Sequence, residues 1–349
     1  MSKKYILITG SSGLIGSEAA EFFFKKGFYI LGIDNNFRKK FFGNKGSILR
    51  RKKELELISE YEHFDYDIRN TSKIEKIFKK YKDKIKCVIH CAAQPSHDWA
   101  KTDPLIDFDI NSRSTLNLLL LFKKFCPDGS FINLSTNKVY GDNPNKLDIE
   151  EKETRFELSK KSKYFPKGID ETMSTDNCIH SFFGSSKLSA DLYVQEFGKN
   201  LNLNTVTFRG GCLTGENHSG VELHGFLSYF ITNLKNSKPY TIFGYKGKQV
   251  RDNIHSSDLI KCFWEYFKKP IAGEIFNIGG GRKNSCSILE VIELMKNKYK
   301  SKSKITYTKK NRTGDHIWWI TDNSKFSKFY PNWEIKQNLH KIIKKIVEK

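Results

Sequence analysis

The apolar run Tyr5-Ile-Leu-Ile-Thr9 leads directly into Gly10-Ser-Ser-Gly13-Leu14-Ile15-Gly16, and a helical pattern over 14–26 follows. A strand, a glycine-punctuated turn and a helix in this order leave few folds open. One glycine permits the sharp turn, one lets backbone approach a pyrophosphate, and one lets the helix pack closely on the strand. The helix N-terminus offers unpaired N–H groups and the positive end of its dipole to phosphates.

The pattern then repeats. Apolar runs at 28–34, 62–68, 86–90, 130–135 and 204–210 alternate with helical patterns at 72–81, over about 106–125 and from about 184. Such strands, separated by helices, form a parallel sheet covered on both faces. Right-handed crossovers then give an α/β, doubly wound parallel-sheet Rossmann fold. Past Gly210 the pattern is less regular and rich in Gly, Asn and aromatics, and it reads as a smaller C-terminal substrate-binding domain. The expected division is 1–209 for the dinucleotide domain, with 240–280 returning to it through GEIFNIG (273–279), and 210–349 mainly for substrate.

Asp34 closes the second strand, eighteen residues past Gly16, where a carboxylate hydrogen-bonds the adenosine ribose. A carboxylate there repels a 2′-phosphate, so NAD is expected over NADP, with Asn35 beside it and Arg38 as a counter-signal. The other reading of Asp34 is a strand-end turn residue. Asp67 and Ile68 are expected to end the third strand and bracket adenine.

The chain of 349 residues is 38% hydrophobic, enough for a large core. The apolar run after MSKK is too short for a signal peptide, and no stretch is long enough to span a bilayer. A cytoplasmic protein with no membrane partner is expected. The seven cysteines lack metal-ligand spacing, so no metal is expected. The net charge of +21 invites a nucleic-acid reading. The lysines are spread over the whole chain, however, and the densest run, Leu49-Arg-Arg-Lys-Lys53, reads as a solvated loop or helix face, so no nucleic-acid partner is expected.

With GSSGLIG, the run His90-Cys-Ala92-Ala93-Gln94, Asn111 and Ser135-Thr136-Asn137-Lys138-Val-Tyr140-Gly141, the chain resembles the extended short-chain dehydrogenase/reductases, which act on nucleotide sugars. STNKVYGD, ETR (153–155), GIDE (168–171), GKQVRD and AAQPSHDWA (92–100) are similar to its branch of CDP-hexose 2-epimerases. The resemblance implies an NAD-dependent isomerase of polysaccharide biosynthesis that oxidises the sugar transiently and returns the hydride. Its substrate would be a nucleotide-diphosphate sugar. A homodimer or homotetramer is the family habit. Ala92, Ala93, Gln94, Asn111 and Lys187 join the cofactor set, Lys187 by holding the nicotinamide ribose. Thr136 matches the hydroxyl that polarises the sugar oxygen.

Phe183 stands where that family keeps its catalytic tyrosine, four residues before Lys187 in His180-Ser-Phe-Phe-Gly-Ser-Ser-Lys187. A phenyl ring cannot take a proton. The position is an engineered change, a natural variant with a relocated base, or the mark of a protein that binds without turnover. A relocated base would come from His97, Asp98 or Lys138; Tyr140 and His180 are weaker candidates that also read as packing residues. His97 could equally cap a turn, with Trp99 packed on the second domain. Asn137 and Lys138 occupy the positions where related dehydratases carry an Asp–Glu pair, so dehydration is not expected. Arg251 and Arg312 match arginines aimed at the diphosphate, Arg251 otherwise pairing with Asp252. Asn137, His180, Arg209 and His224 complete the substrate set. Another nucleotide-sugar oxidoreductase, such as a 4-epimerase, stays open.

Overall fold

Strands whose side chains are apolar on both faces must be covered on both faces, and the chain does this in its first half. In the computed structural model, which describes residues 3–221 and 225–349, the strands β1 (Tyr5–Thr9), β2 (Tyr29–Ile33), β3 (Tyr61–Phe64), β4 (Ile85–His90) and β5 (Ser130–Thr136) share one sheet. With Thr205–Gly210 and Glu274–Ile278 they form seven strands in the order 274–278, 205–210, β5, β4, β1, β2, β3. The pairs β1–β2, β1–β4, β2–β3 and β4–β5 are parallel. This is the doubly wound arrangement, with the order reversing at β1, where such sheets bind ligands. Helices Thr71–Tyr81 and Ser114–Phe125 supply Ile74, Ile77, Phe78, Leu118, Leu119 and Phe122 to a buried cluster with Leu7, Leu31, Val88 and Phe131. Each such side chain contributes about 1.5–3 kcal/mol on burial.

Two boundaries differ from the sequence pattern. The third strand stops at Phe64 rather than running to Ile68, because Asp67 turns back to accept the Arg69 N–H at 2.9 Å. The helix expected over 106–125 is Pro104–Phe108 and Ser114–Phe125 joined by a π-helical turn, Asp109–Arg113. That wider turn carries Asn111, and such insertions often serve functional sites.

Contacts divide the chain into two units. The first holds residues through Thr136, Phe182–Arg209 and Leu259–Phe276; the second holds Asn137–Ser181, Gly210–Asp258 and Asn277–Lys349. Residues 137–181, expected in the first, cluster with the second, since they add no strand to the large sheet and form a separate hairpin, Ile149–Glu151 with Phe156–Leu158. The segment returning to the first unit is 259–276, narrower than 240–280. In the second unit Val250–His255 pairs with Ser285–Ser287, Trp318–Trp319 and Cys212–Thr214. Helices Phe226–Lys235, Ile288–Tyr299 and Leu339–Glu348 pack Phe230, Ile231, Val291, Met295, Ile342 and Ile343 into its core.

The basic run at 49–53 lies in the helix Leu49–Glu56, where Arg50 pairs with Glu54 and Arg51 with both Glu21 and Glu54. Among the described residues no helix is long and apolar enough to cross a membrane.

Gly198 tests the packing of helix Phe182–Lys199 on the sheet. A Cβ there would lie 2.1 Å from Gly273 N and 2.5 Å from Thr205 Oγ1. Alanine gains about 1 kcal/mol of helix propensity, whereas overpacking against backbone costs about 1–3 kcal/mol. Sterics therefore win. Gly198→Ala is expected to lower the thermal midpoint by several degrees; an unchanged or raised midpoint in a melting experiment would contradict this packing.

Candidate active site

The dinucleotide cradle begins where β1 ends. Gly10 has φ +67°, and a Cβ on it would meet Ala92 N at 2.7 Å; a Cβ on Gly16 would meet Gly10 O at 2.1 Å. Turn, strand end and helix thus approach more closely than any side chain would allow. The helix Leu14–Lys25 starts at Gly13 with no side-chain cap and no acid in its first turn, so its N–H groups and dipole suit a phosphate. Ile15 is buried under this turn and Leu14 lies half-buried at its start.

Asp34 follows β2. Its carboxylate accepts the Ser12 N–H at 3.1 Å and the Asn36 N–H at 2.9 Å, which fastens it to the glycine turn. Burial pushes its pKa up to about 6, against the lowering effect of those two bonds. Asn35 lines a small pocket with Ser12, Asp34, Asn36, Lys52 and Asp65. Arg38 rests over the Phe42 ring at 4.8 Å; burial lowers its guanidinium to about 10 while Asp34 opposes that shift. Asp67 is gripped by the Arg69 side chain at 2.6 Å, with Ile68 buried beside it in the loop after β3. The cradle's close glycine contacts, bare helix start and strand-end carboxylate fit a dinucleotide.

Sequence reading missed what stands behind the turn. The Tyr61 hydroxyl meets Ser11 Oγ at 2.9 Å and His63 Nδ1 at 3.0 Å, and a Cβ on Gly32 would strike that hydroxyl at 2.1 Å. The available signal was Gly32 itself, a glycine inside an otherwise apolar strand.

The candidate reactive centre lies in the same unit. Thr136 ends β5, half-buried. On helix Phe182–Lys199, Phe183 and Lys187 are four residues apart and share a face. Lys187 is buried, donates to Leu134 O at 2.8 Å, and burial lowers its pKa to about 8 while Asp191 opposes. The His97 ring meets the Phe183 ring edge to face, with centroids 4.9 Å apart. Asp98 faces solvent on the first turn of helix His97–Thr102, away from the centre. Trp99 packs on Phe41 of the same unit, its indole donating to Phe41 O at 2.8 Å.

A buried network ties the loop just before His97 to the π-helical turn and to the helix that bears Phe183. Gln94 N donates to Asn111 Oδ1 at 2.9 Å, and Gln94 Nε2 donates to Asp107 Oδ1 and Ser96 O, each at 2.8 Å. Asn111 Nδ2 donates to Gln94 O and Asp107 Oδ1 at 3.0 Å and to Ser186 Oγ at 3.1 Å. Asn111 therefore grips the residue next to Lys187. Ala92 and Ala93 are the small residues between β4 and this network, half-buried. Asp107 and Ser186 were not foreseen; the spacing of four between Asp107 and Asn111 was the legible hint.

Arg209 is not available to a substrate. Its guanidinium is buried against Asp191, with Nε donating at 2.8 Å and a second nitrogen at 3.1 Å. An arginine at a strand end is equally suited to neutralising a buried helix carboxylate, and sequence does not separate the two.

In the second unit Arg251 binds Asp315 and His316 O rather than Asp252, which is buried and accepts the Gly281 and Thr321 N–H groups. Lys138 lies near them; desolvation lowers its pKa to about 8, helped by Arg251 and opposed by Asp315. Arg312 sits over the Phe243 ring at 4.7 Å. Asn137 is buried. His180 Nε2 meets Thr175 O at 2.8 Å and Cys178 Sγ at 3.2 Å, a packing role. The buried Tyr140 donates to Asn277 Oδ1 at 2.8 Å and stacks on Trp319, so it packs. His224 lies outside the described residues. Among those residues no three metal-ligating side chains gather.

A glycine-turn cradle with a strand-end carboxylate and a buried lysine beyond β5 defines a nicotinamide-dinucleotide-binding protein of the extended short-chain dehydrogenase/reductase class. The chain belongs to the NAD dependent epimerase/dehydratase family, whose model matches residues 6–279. It is similar to CDP-paratose 2-epimerase of Salmonella typhi, 34% identical over 300 residues that cover 83% of each chain. UDP-glucuronate 4-epimerase of Thermodesulfobacterium geofontis is 28% identical, covering 98% of this chain and 95% of that one. Among solved structures, a tyrosine-to-phenylalanine mutant of UDP-glucuronic acid 4-epimerase from Bacillus cereus, in complex with UDP-4-deoxy-4-fluoro-glucuronic acid and NAD, superposes with TM-score 0.76. It is 25% identical, covering 99% of this chain and 98% of that one. The cofactor is NAD.

Asp34 gives this site a pH signature. Ionised above about pH 6, it offers a charge-assisted acceptor to a ribose hydroxyl; protonated, it no longer does. NAD affinity measured by calorimetry should fall roughly tenfold between pH 7.5 and 5, about 1.4 kcal/mol, and Asp34→Asn should be weak and flat over that range. In the free protein the sign is opposite: its raised pKa adds stability below about pH 4 that is lost as pH rises through about 6. Affinity independent of pH would remove Asp34 from the ribose.

Proposed function

We propose that the protein is an NAD-dependent nucleotide-sugar epimerase that inverts carbon 2 of a CDP-hexose of the CDP-paratose type. The observation that carries this is the 34% identity to CDP-paratose 2-epimerase over 83% of each chain. The pair Asn137–Lys138 after Thr136 supports the same reading, since elimination of water calls for carboxylates there.

Carbon 2 of the hexose has no neighbouring carbonyl, so direct removal of its proton would meet a very weak acid. Bound NAD supplies reversible two-electron oxidation at that carbon. The chain's own groups prepare it. Gly10, Gly13, Leu14, Ile15 and Gly16 seat the pyrophosphate; Asp34, with Asn35 and Arg38 alongside, holds the adenosine ribose; Asp67 and Ile68 border adenine. Ala92, Ala93, Gln94 and Asn111 line the path towards the nicotinamide. Lys187 holds the nicotinamide ribose, and Thr136 polarises the sugar oxygen. In the second unit, read as the nucleotide-sugar domain, Arg251 and Arg312 meet the diphosphate. Arg251 is oriented for this by Asp315, and a rigid guanidinium fork suits phosphate oxygens. Asn137 and Lys138 contact the sugar.

Phe183 favours a second reading, a protein that binds NAD and nucleotide sugar without turnover. One experiment separates the two. CDP-paratose is incubated with the protein in deuterated buffer and its anomeric proton followed by NMR. A new anomeric signal at unchanged mass, with no deuterium at carbon 2, is expected. An unchanged spectrum alongside tight CDP-paratose binding would favour the non-catalytic reading.

A further inference from the structure

Phe183 leaves the reaction without its usual proton acceptor, yet the surrounding architecture is held by many buried polar contacts. The loop from Gln94 to Ser96 is tied to the π-helical turn by Gln94–Asn111 bonds in both directions, and to helix Phe182–Lys199 through Asn111 and Ser186. Ser96 then caps the helix His97–Thr102, accepting the Trp99 N–H at 3.3 Å. The first residue of that helix is His97, half-buried, whose ring lies 4.9 Å from that of Phe183 at an interplanar angle of 64°. Every polar group in a buried network must be satisfied or cost about 1–3 kcal/mol. Ser96, the last residue of this network's loop, starts the helix whose first residue sets a titratable ring against the Phe183 phenyl.

We propose that His97 is the proton acceptor and donor of the reaction, in the place of the missing phenol. The inference rests on the epimerase reading above. An imidazole takes protons near neutral pH without an activating neighbour, which a phenol cannot do. In the forward step the sugar's C2–H bond breaks with its electron pair passing to NAD. The O–H bond at the same carbon breaks with its proton passing to the His97 imidazole, and the C=O bond forms. In the return step the pair comes back to the opposite face of carbon 2, and the imidazolium gives its proton to the oxygen. Atoms and charge balance over the cycle, and no further reactant is needed. Phe183 then acts as a wall that holds the imidazole in place.

The test compares wild type, His97→Gln, Phe183→Tyr and the double variant, all loaded with NAD. His97→Gln should lower kcat by 10²–10⁴-fold with KM for the sugar within about threefold. Adding Phe183→Tyr to His97→Gln should restore at least tenfold, because Lys187 can then serve a phenol; a merely misfolded loop would not be rescued. A readout independent of turnover is histidine 15N NMR. The ring resonances that vanish in His97→Gln should shift when CDP-paratose is added to wild type. Retained kcat in His97→Gln, or a loss that the double variant does not rescue, would overturn the role of His97. Turnover of a UDP- or dTDP-hexose in place of CDP-paratose, with the same His97 dependence, would overturn the substrate reading alone. No turnover of any of these by wild type would overturn both.

Discussion

The interaction on which the centre depends is the buried pairing of Gln94 with Asn111. It joins a loop at the carboxyl end of β4 to a π-helical turn, and Asn111 continues to Ser186 on the helix that bears Lys187. Three separate elements are thereby held at hydrogen-bond tolerance, a few tenths of an ångström. Apolar packing alone would not fix them so closely, since it is non-directional. The π turn is part of the same device: an ordinary helix would bring Asn111 to another azimuth. Asp107 adds a carboxylate whose pKa burial raises, accepting from both amides and so holding each in one orientation.

Burial sets the electrostatics of both units in opposite directions for acids and bases. Asp34 and Asp252 are each pushed up to about 6, while Lys187 and Lys138 are each drawn down to about 8. Desolvation is the largest cause in all four. These groups therefore change charge within about two units of neutrality, whereas surface Asp and Lys do not. Chemistry at neutral pH draws on groups of this kind.

The scaffold was legible because its signals are local. Apolar runs, glycine spacing and a carboxylate eighteen residues past Gly16 each depend on neighbours in sequence. The returning strand Glu274–Ile278 was visible for the same reason. What escaped depends on distant partners. Arg209 read as a substrate residue because nothing in sequence links it to Asp191, eighteen residues earlier on a helix. The partner of Trp99 was not legible because Phe41 lies fifty-eight residues away. The strand end at Phe64 depended on the Asp67–Arg69 turn, whereas the sequence pattern carried the strand on to Ile68. For the candidate centre, Thr136, Phe183 and Lys187 were picked out by resemblance to a family motif, whereas the contact of His97 with Phe183 has no sequence signal.

Phe183 can replace a tyrosine without disturbing this frame, because the two side chains share a shape and differ by one hydroxyl. The consequence falls on Lys187. Burial draws the ammonium's pKa down to about 8 even after Asp191 opposes the shift, a net cost on the order of 3 kcal/mol for the charged form, and the ammonium donates to Leu134 O. In a centre with a phenol, that charge also acidifies the phenol. Without one, Lys187 has no phenol to acidify, and a proton acceptor in this centre would have to be a group that needs no acidification. An imidazole is such a group, and His97 is the one packed against Phe183. On the proposal above, the retained lysine and the lost hydroxyl are compatible: one would serve the cofactor, and the other's work would pass to the imidazole of His97.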